Sequence, residues 1–286
     1  MEEREFLSGR VRELSQRTWQ SDYLTHTAFL TLREQSYVRD MAGYGGKPFP
    51  CTEDGMCFTG SISGVPFVLF GGYEEAERRM LCFLPSYLDA GAFYASSDSA
   101  LSCVEIRPLN VKFADALTHR DFLGAVMNLG IERDQIGDIL VQNGKDAQEA
   151  AGKRTATDRA YLFATQEIAE VIAKDLTRVK HTSVSAQIVP AGSCDVRPVY
   201  EIREGSVASD RLDAVLAFVF HLSRQAAQER ISAEEVYVDG LTAMSAGMSL
   251  KPGCRVSVRG FGKFIYEGEL HETRKGRSFV RVRVYA

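Results

Sequence analysis

The sequence predicts an α+β protein divided into several domains, and three observations predict it. Short apolar runs bounded by Gly and Pro, among them VPFVLF and RMLCFLP, have the length of strands and alternate with stretches whose apolar residues recur at helical spacing. From about residue 100 the pattern runs strand, helix, strand, strand, helix, strand. Residues 209–240, SDRLDAVLAFVFHLSRQAAQERISAEEVYVDG, read as two short capped helices followed by a strand that ends in a tight turn.

A chain of 286 residues has room for two or three domains. The patterns divide it into an N-terminal α+β part (1–97), a central part (98–190), a linker or extended segment (191–208) and a C-terminal module with a β-hairpin (209–286). In the first part, residues 2–41 read as helices: Leu7, Val11 and Leu14 have helical spacing, and Phe29, Leu30 and Leu32 lead into a helix ending near Gly43. The block FLTLREQ, 29–35, reads as a solvated amphipathic helix. GYGGKPFPCTEDG is loop. The two apolar runs at 65–70 and 79–85 are strands of a buried sheet, with Gly71 and Gly72 supplying backbone freedom at the turn between them. That glycine pair is no phosphate cradle, because neither a P-loop lysine nor a dinucleotide-binding spacing follows.

In the central part, 103–108 is strand. Residues 118–129 form a helix capped by Thr118, with Phe122, Leu123, Val126 and Met127 as its apolar side. Segments 136–141 and 160–163 pair across a loop, 165–176 is a second helix and 183–189 a last strand. This βαββαβ order is that of a ferredoxin-like, RRM-like sandwich. Alternation from Val199 to Val207 predicts an extended strand in the bridging segment.

In the C-terminal module, Ser209 or Asp210 caps a helix whose residues Leu212, Val215, Leu216 and Val219 form one buried stripe. Ser223 caps a second helix, with Ala226, Ala227 and Ile231 inward. Arg224 then stands in a first helical turn, where the helix dipole favours an anion. A phosphate held jointly by that arginine and the free N–H groups fits the position. Beyond Gly240, LKPGCRVSVRG is a strand, and FGKFIYEGEL and SFVRVRVY form a hairpin around TRKG. On its last strand Val280, Val282 and Val284 face one way, and Phe279, Arg281, Arg283 and Tyr285 the other. Aromatics interleaved with arginines suit RNA, through stacking and phosphate contact, and equally suit a plain solvated sheet face. The basic strands from Arg255 to Arg283 are expected to extend the surface begun by the helices.

Composition narrows the classes. The formal net charge is −4, yet the residues from Arg211 onward carry twelve Lys or Arg against eight Asp or Glu, a balance of +4 that leaves −8 for the rest. The C-terminal part is therefore the one expected to meet an acidic partner. The N-terminus lacks an apolar signal region and no apolar run reaches membrane-spanning length, so a cytoplasmic protein without membrane partners is expected. The six cysteines, Cys51, Cys57, Cys82, Cys103, Cys194 and Cys254, form no Cys-x-x-Cys pair and have no histidine at metal-finger spacing. They read as free thiols, and no metal or cofactor is expected.

The strings RLDAVL, SRQAAQ, VYVDG and LKPGCRVSVRG, in that order and spacing, resemble an S4 (alpha-L) domain, a small RNA-binding module. Adding FLTLREQ, GGYEEAERR, LTHRDFLGAVMNLGIERDQIGDILV and EIAEVIAKDLTRV, the chain from Phe29 to Phe264 resembles the YlmH family of bacterial RNA-binding proteins. The resemblance implies an N-terminal region, a central RRM-like domain and a C-terminal S4 domain. It implies association with rRNA and tRNA on the large ribosomal subunit, in quality control of obstructed ribosomes, and a link to cell division has been attached to family members. No DNA partner is implied, and a monomer is favoured.

The residues it marks for RNA are Arg211 and Arg224, which open the two helices. Beside them stand Ser223, Gln228, Lys251, Arg255, Arg259 and Lys263, and Asp213, whose expected part is to orient Arg211 or to cap the helix. His119, Arg120, Arg281 and Arg283 form a candidate second RNA surface, with a proton donor or a cap-and-turn role at the helix start as the alternatives for His119 and Arg120. Two positions depart from the S4 pattern: Glu234 or Glu235 stands where glycine is common, and Cys254 replaces the aspartate of LxxGD. The first affects how basic the face is and how tight the turn. A non-enzyme is expected. S4 domains also accompany pseudouridine synthases and methyltransferases, but no glycine-rich turn for a methyl donor is present, and Asp115 and Asp121 are isolated as candidate catalytic acids. An acidic first two-thirds would also suit a protein-interaction scaffold with weak RNA binding.

Overall fold

A computed structural model describes residues 2–45, 47–52, 55–95, 101–142, 159–274 and 276–285. The boundary expected at 97–98 and Lys275 in the TRKG turn lie outside the described residues. The chain forms two compact units, Met1–Arg197 and Pro198–Ala286.

The first unit opens with α1 (Glu2–Ser21), β1 (Thr25–Leu30) and α2 (Leu32–Met41), followed by β2 (Phe58–Ile62), β3 (Val65–Phe70), β4 (Arg79–Phe83) and α3 (Ala90–Ala95). Its strands make an antiparallel sheet in the order β1-β4-β3-β2. Two expectations are corrected here. Residues 25–30 are a strand rather than helix, and their alternating threonines hid it: Thr25 and Thr27 are buried, and their hydroxyls donate to the carbonyls of Leu14 and Ala28. FLTLREQ is also not a solvated helix. Phe29 and Leu30 are buried strand residues, Thr31 caps α2 by accepting from the Glu34 amide, and Gln35 is buried, donating to the carbonyls of Leu30 and Glu77.

Next come β5 (Ser102–Pro108), α4 (His119–Met127), β6 (Ile136–Gln142), β7 (Arg159–Ala164), α5 (Gln166–Asp175), β8 (Arg178–Val179) and β9 (Thr182–Val189). The expected βαββαβ order is present, in an antiparallel sheet ordered β6-β7-β5-β9-β8. Met127, expected on the apolar side of α4, is instead 38 % exposed.

Residues on these strands alternate between two cores. Val104, Ile106, Ala160 and Leu162 pack with Phe122 and Val126 of α4 and with Ala169 and Ile172 of α5. Cys103, Leu140, Tyr161 and Phe163 pack instead with Phe29, Val68, Phe70, Met80 and Cys82 of the first sheet. That sheet's other face, Phe67, Leu69, Leu81 and Phe83, meets Leu7, Val11 and Leu14 of α1 and Val38 of α2. The unit is therefore four layers, helices, sheet, sheet, helices, with the two sheets closed on each other. Continuous apolar runs such as VPFVLF and RMLCF are what strands covered on both faces require. Tyr73 stacks on Phe163 with ring centroids 5.5 Å apart. Beside that stack Gly72 has φ +94°, and a Cβ there would stand 2.2 Å from the Phe163 ring, so the glycine serves close approach as well as the turn. Asp138 of β6 ties the layers together, accepting from the Tyr73 hydroxyl at 2.9 Å and from the Glu77 and Arg78 amides at 2.6 and 3.3 Å.

The second unit begins with β10 (Tyr200–Val207), the extended segment expected before the C-terminal module, here paired along its length with the last strand. Helices α6 (Leu212–Val219) and α7 (Arg224–Ser232) follow. Then come β11 (Val236–Val238), β12 (Leu241–Thr242), β13 (Arg255–Val258), β14 (Gly262–Glu272) and β15 (Ser278–Tyr285). The sheet is antiparallel in the order β10-β15-β14-β13-β11-β12. Leu212, Val215, Leu216 and Val219, with Ala227 and Ile231, pack onto Val256, Val258, Phe264, Val280, Val282 and Val284. Both helices of this unit pack on this one face of the sheet.

Candidate nucleic-acid interface

The two helices of the second unit meet at their N-terminal ends around one buried carboxylate. Asp213, fully buried, accepts from Arg211 Nε and Nη2 at 3.2 Å each, from Arg224 Nη2 at 2.7 Å and from Gln228 Nε2 at 2.8 Å. Both guanidinium groups stay open to solvent, at 44 % and 48 % side-chain exposure. Burial works to raise the Asp213 pKa, but the hydrogen bonds from Arg211, Gln228 and Arg224 outweigh it and hold the carboxyl down at about 2. Asp213 thus stays ionised and aims two cations outward; two positive groups on one negative group leave a net positive cluster.

Local sequence explains the arrangement. Arg211, not Ser209 or Asp210, is the N-cap of α6, in extended conformation and without a side-chain cap bond. The first amides of that helix, of Leu212 and Asp213, donate to the carbonyls of Met248 and Ala246, so they are not free for a phosphate. On α7 the first amides are not engaged in this way. Ser223 accepts from the Ala226 amide, which leaves the amides of Arg224 and Gln225 without an acceptor among the described residues.

The remaining sequence candidates separate. Arg255, Lys263, Arg281 and Arg283 lie on the sheet face away from the helices, since their strand neighbours Val256, Phe264, Val280, Val282 and Val284 form the core beneath the helices. The basic strands therefore do not extend the helical surface as expected; β-strand alternation sends them to the other side. There Lys263 stands 4.2 Å over the Tyr285 ring and Arg283 4.8 Å over Tyr200, while Arg281 pairs with Glu204 at 2.6 Å and Arg283 with Glu267 at 2.9 Å. Much of this face's charge is neutralised within the sheet. Lys251 and Arg259 are exposed in loops.

His119 and Arg120 belong to the first unit, exposed at the start of α4. Thr118 stands at the N-cap, its amide and hydroxyl both donating to Asp121. Arg178 and Lys180, outside the sequence candidates, line a groove with Arg120, and the basic run RVKH at a hairpin turn is the signal that marks them. Both sites of departure from the S4 pattern are built without disruption. Glu234 takes the left-handed conformation, φ +57°, at the end of α7, and Glu235 pairs with Arg230 at 2.6 Å. Cys254 is buried, its thiol pushed up to about 12 chiefly by burial. None of the six cysteines is in a disulfide. Among the described residues no helix is long and apolar enough to cross a membrane.

A family model described as "Putative RNA-binding domain in YlmH" matches residues 95–192. Over 197 residues the chain is 30 % identical to the "Ribosome-associated protein quality control protein P2" of Bacillus subtilis (strain 168), covering 68 % of each. A solved structure, "Cell division protein ylmH from Streptococcus pneumoniae", is similar at 23 % identity and a TM-score of 0.42, over 67 % of this chain and 94 % of that one.

Proposed function

We propose, from the premise that this chain belongs to the YlmH family, that it is a non-catalytic RNA-binding protein acting on rRNA and tRNA of the large ribosomal subunit, in the rescue of obstructed ribosomes. Its C-terminal unit is read as an S4 domain and its central part as an RRM-like domain. In support, a relative of 30 % identity is named as ribosome-associated, and the model matching the central part is described as RNA-binding.

The observation that carries the reading is the Asp213 junction. A fully buried carboxylate that fixes two half-exposed guanidinium groups pre-orients their remaining N–H donors, which lowers the side-chain entropy lost on phosphate binding. Affinity then comes from phosphate neutralisation and counterion release, and selectivity from the shape of structured RNA. The non-catalytic reading is supported by the two isolated carboxylates, each already engaged: Asp115 accepts from the His181 amide and the Thr182 hydroxyl, and Asp121 binds Thr118 and Lys180.

The test replaces both arginines by glutamine, which removes the charges and keeps donors for Asp213. For a structured RNA titrated against salt, R211Q/R224Q should lower the slope of log K on log salt by about 1.4 to 1.8. An unchanged slope in a folded double variant would remove these residues from the interface.

A further inference from the structure

A sheet of the central topology reads RNA, where it does so, by stacking bases on aromatic side chains of its open face. Here that face is closed. Tyr161 and Phe163, the aromatics of β7, are 2 % and 0 % exposed in the core shared with the first sheet. RNA contact by this part of the chain has to use another surface.

The helical side offers one. Between α4 and the segment 175–180 lies a groove of about 510 Å³ whose lining includes Arg120, Arg178 and Lys180. Of its two carboxylates, Asp121 is paired with Lys180 at 2.9 Å, which leaves Asp175. The guanidinium groups of Arg120 and Arg178 are exposed and make no hydrogen bond or ion pair among the described residues. The loop before α4 carries Phe113, 83 % exposed. That loop is fastened to the turn holding Lys180: the Leu109 amide donates to the Ser183 carbonyl at 2.9 Å, the Asp115 amide to the Thr182 hydroxyl at 2.8 Å, and the His181 amide to the Asp115 carboxylate at 3.2 Å. An open aromatic ring is thus held on the same edge as two unpaired cations, the combination that binds single-stranded or looped RNA by stacking and phosphate contact together.

We propose that the central domain meets RNA through this helical edge, with Arg120 and Arg178 on phosphates and Phe113 stacked on an unpaired base, and not through its sheet. The inference rests on the RNA-binding reading above and assigns that reading a second contact.

The experiment uses the full chain and a stem–loop RNA with an unpaired loop, comparing wild type, R120Q/R178Q, F113A and R211Q/R224Q, with circular dichroism to confirm folding. R120Q/R178Q should lower the salt slope by about 1.4 to 1.8, and F113A should weaken binding about tenfold with the slope unchanged. If both match wild type while R211Q/R224Q still weakens binding, the helical edge is overturned and the function stands. If wild type binds no RNA, both readings fall. A photo-crosslinking residue at position 113 that captures protein rather than RNA on ribosomes would also overturn the edge as an RNA contact.

Discussion

The central sheet and the C-terminal sheet are both antiparallel and both carry aromatics on the face away from their own helices, yet those aromatics have opposite fates. On the central sheet Tyr161 and Phe163 are core residues, covered by a second sheet. On the C-terminal sheet Tyr200 and Tyr285 pack edge to face at 4.9 Å, half-buried, under Arg283 and Lys263. The difference teaches that an aromatic on a sheet is no evidence of a binding face until the other side of that face is known. Where the face is covered, any RNA contact moves to the edges and helices.

Truncating one aromatic of each kind gives the largest effect. Phe163→Ala removes a ring that Tyr73 stacks upon and that two layers share, and should cost about 3–5 kcal/mol in urea unfolding. Tyr285→Ala, on the half-solvated face, should cost under about 1 kcal/mol. Similar losses at the two sites would break the contrast.

Part of that contrast was legible beforehand. The run YLF of β7 has no polar alternation, as a strand covered on both faces should not, whereas FVRVRVY alternates and predicts one open face. What covers the central sheet was not legible, because the covering strands are contributed by residues some seventy positions or more away, and one of them, β1, reads THTAFL. Arg79 shows the same limit. The run RMLCF gives no sign of how its one charged residue is housed; in the fold Arg79 is 1 % exposed, donating to the Ala76 and Glu74 carbonyls, with its guanidinium 4.0 Å over the Phe58 ring. At the site, Arg224 was legible from a helix start, whereas Arg211 and the orienting part of Asp213 came from the family resemblance. The sharing of Asp213 between two helices and Gln228 needed their tertiary packing.

The two units also bury carboxylates of opposite pH sense. Asp213 is depressed to about 2 from an ordinary 3.8 because its charged partners outweigh burial, so its share of stability is complete above about pH 4 and is lost as pH falls towards 2. Asp138 is raised, burial being the largest cause, so its share is full in acid and falls as pH rises through its elevated pKa. Asp213→Asn should therefore remove about 2 kcal/mol of acid-sensitive stability from the C-terminal unit alone. Hydrogen exchange resolved by peptide, at pH 6 and near pH 3, is the measurement. A variant whose C-terminal peptides lose protection on acidification as wild type does would show that Asp213 is not the group responsible.

The smallest effect concerns backbone conformation, and Gly72 and Glu234 state it as a pair. Both have positive φ, +94° and +57°. At Gly72 a Cβ would enter the Phe163 ring, so only glycine fits. Glu234 closes α7 in the left-handed conformation that a helix end favours for glycine: its amide donates to the Ile231 carbonyl and the next amide, of Glu235, to the Arg230 carbonyl. A side chain in that conformation is strained, by about 1 kcal/mol against glycine, whereas glycine adds unfolded-chain entropy that offsets part of the gain. Glu234→Gly should therefore stabilise the C-terminal unit by about 0.5–1 kcal/mol in urea unfolding. It also removes one negative charge from a basic unit, so RNA affinity at low salt should rise slightly. A loss of stability would mean that the Glu234 side chain contributes more than its backbone conformation costs.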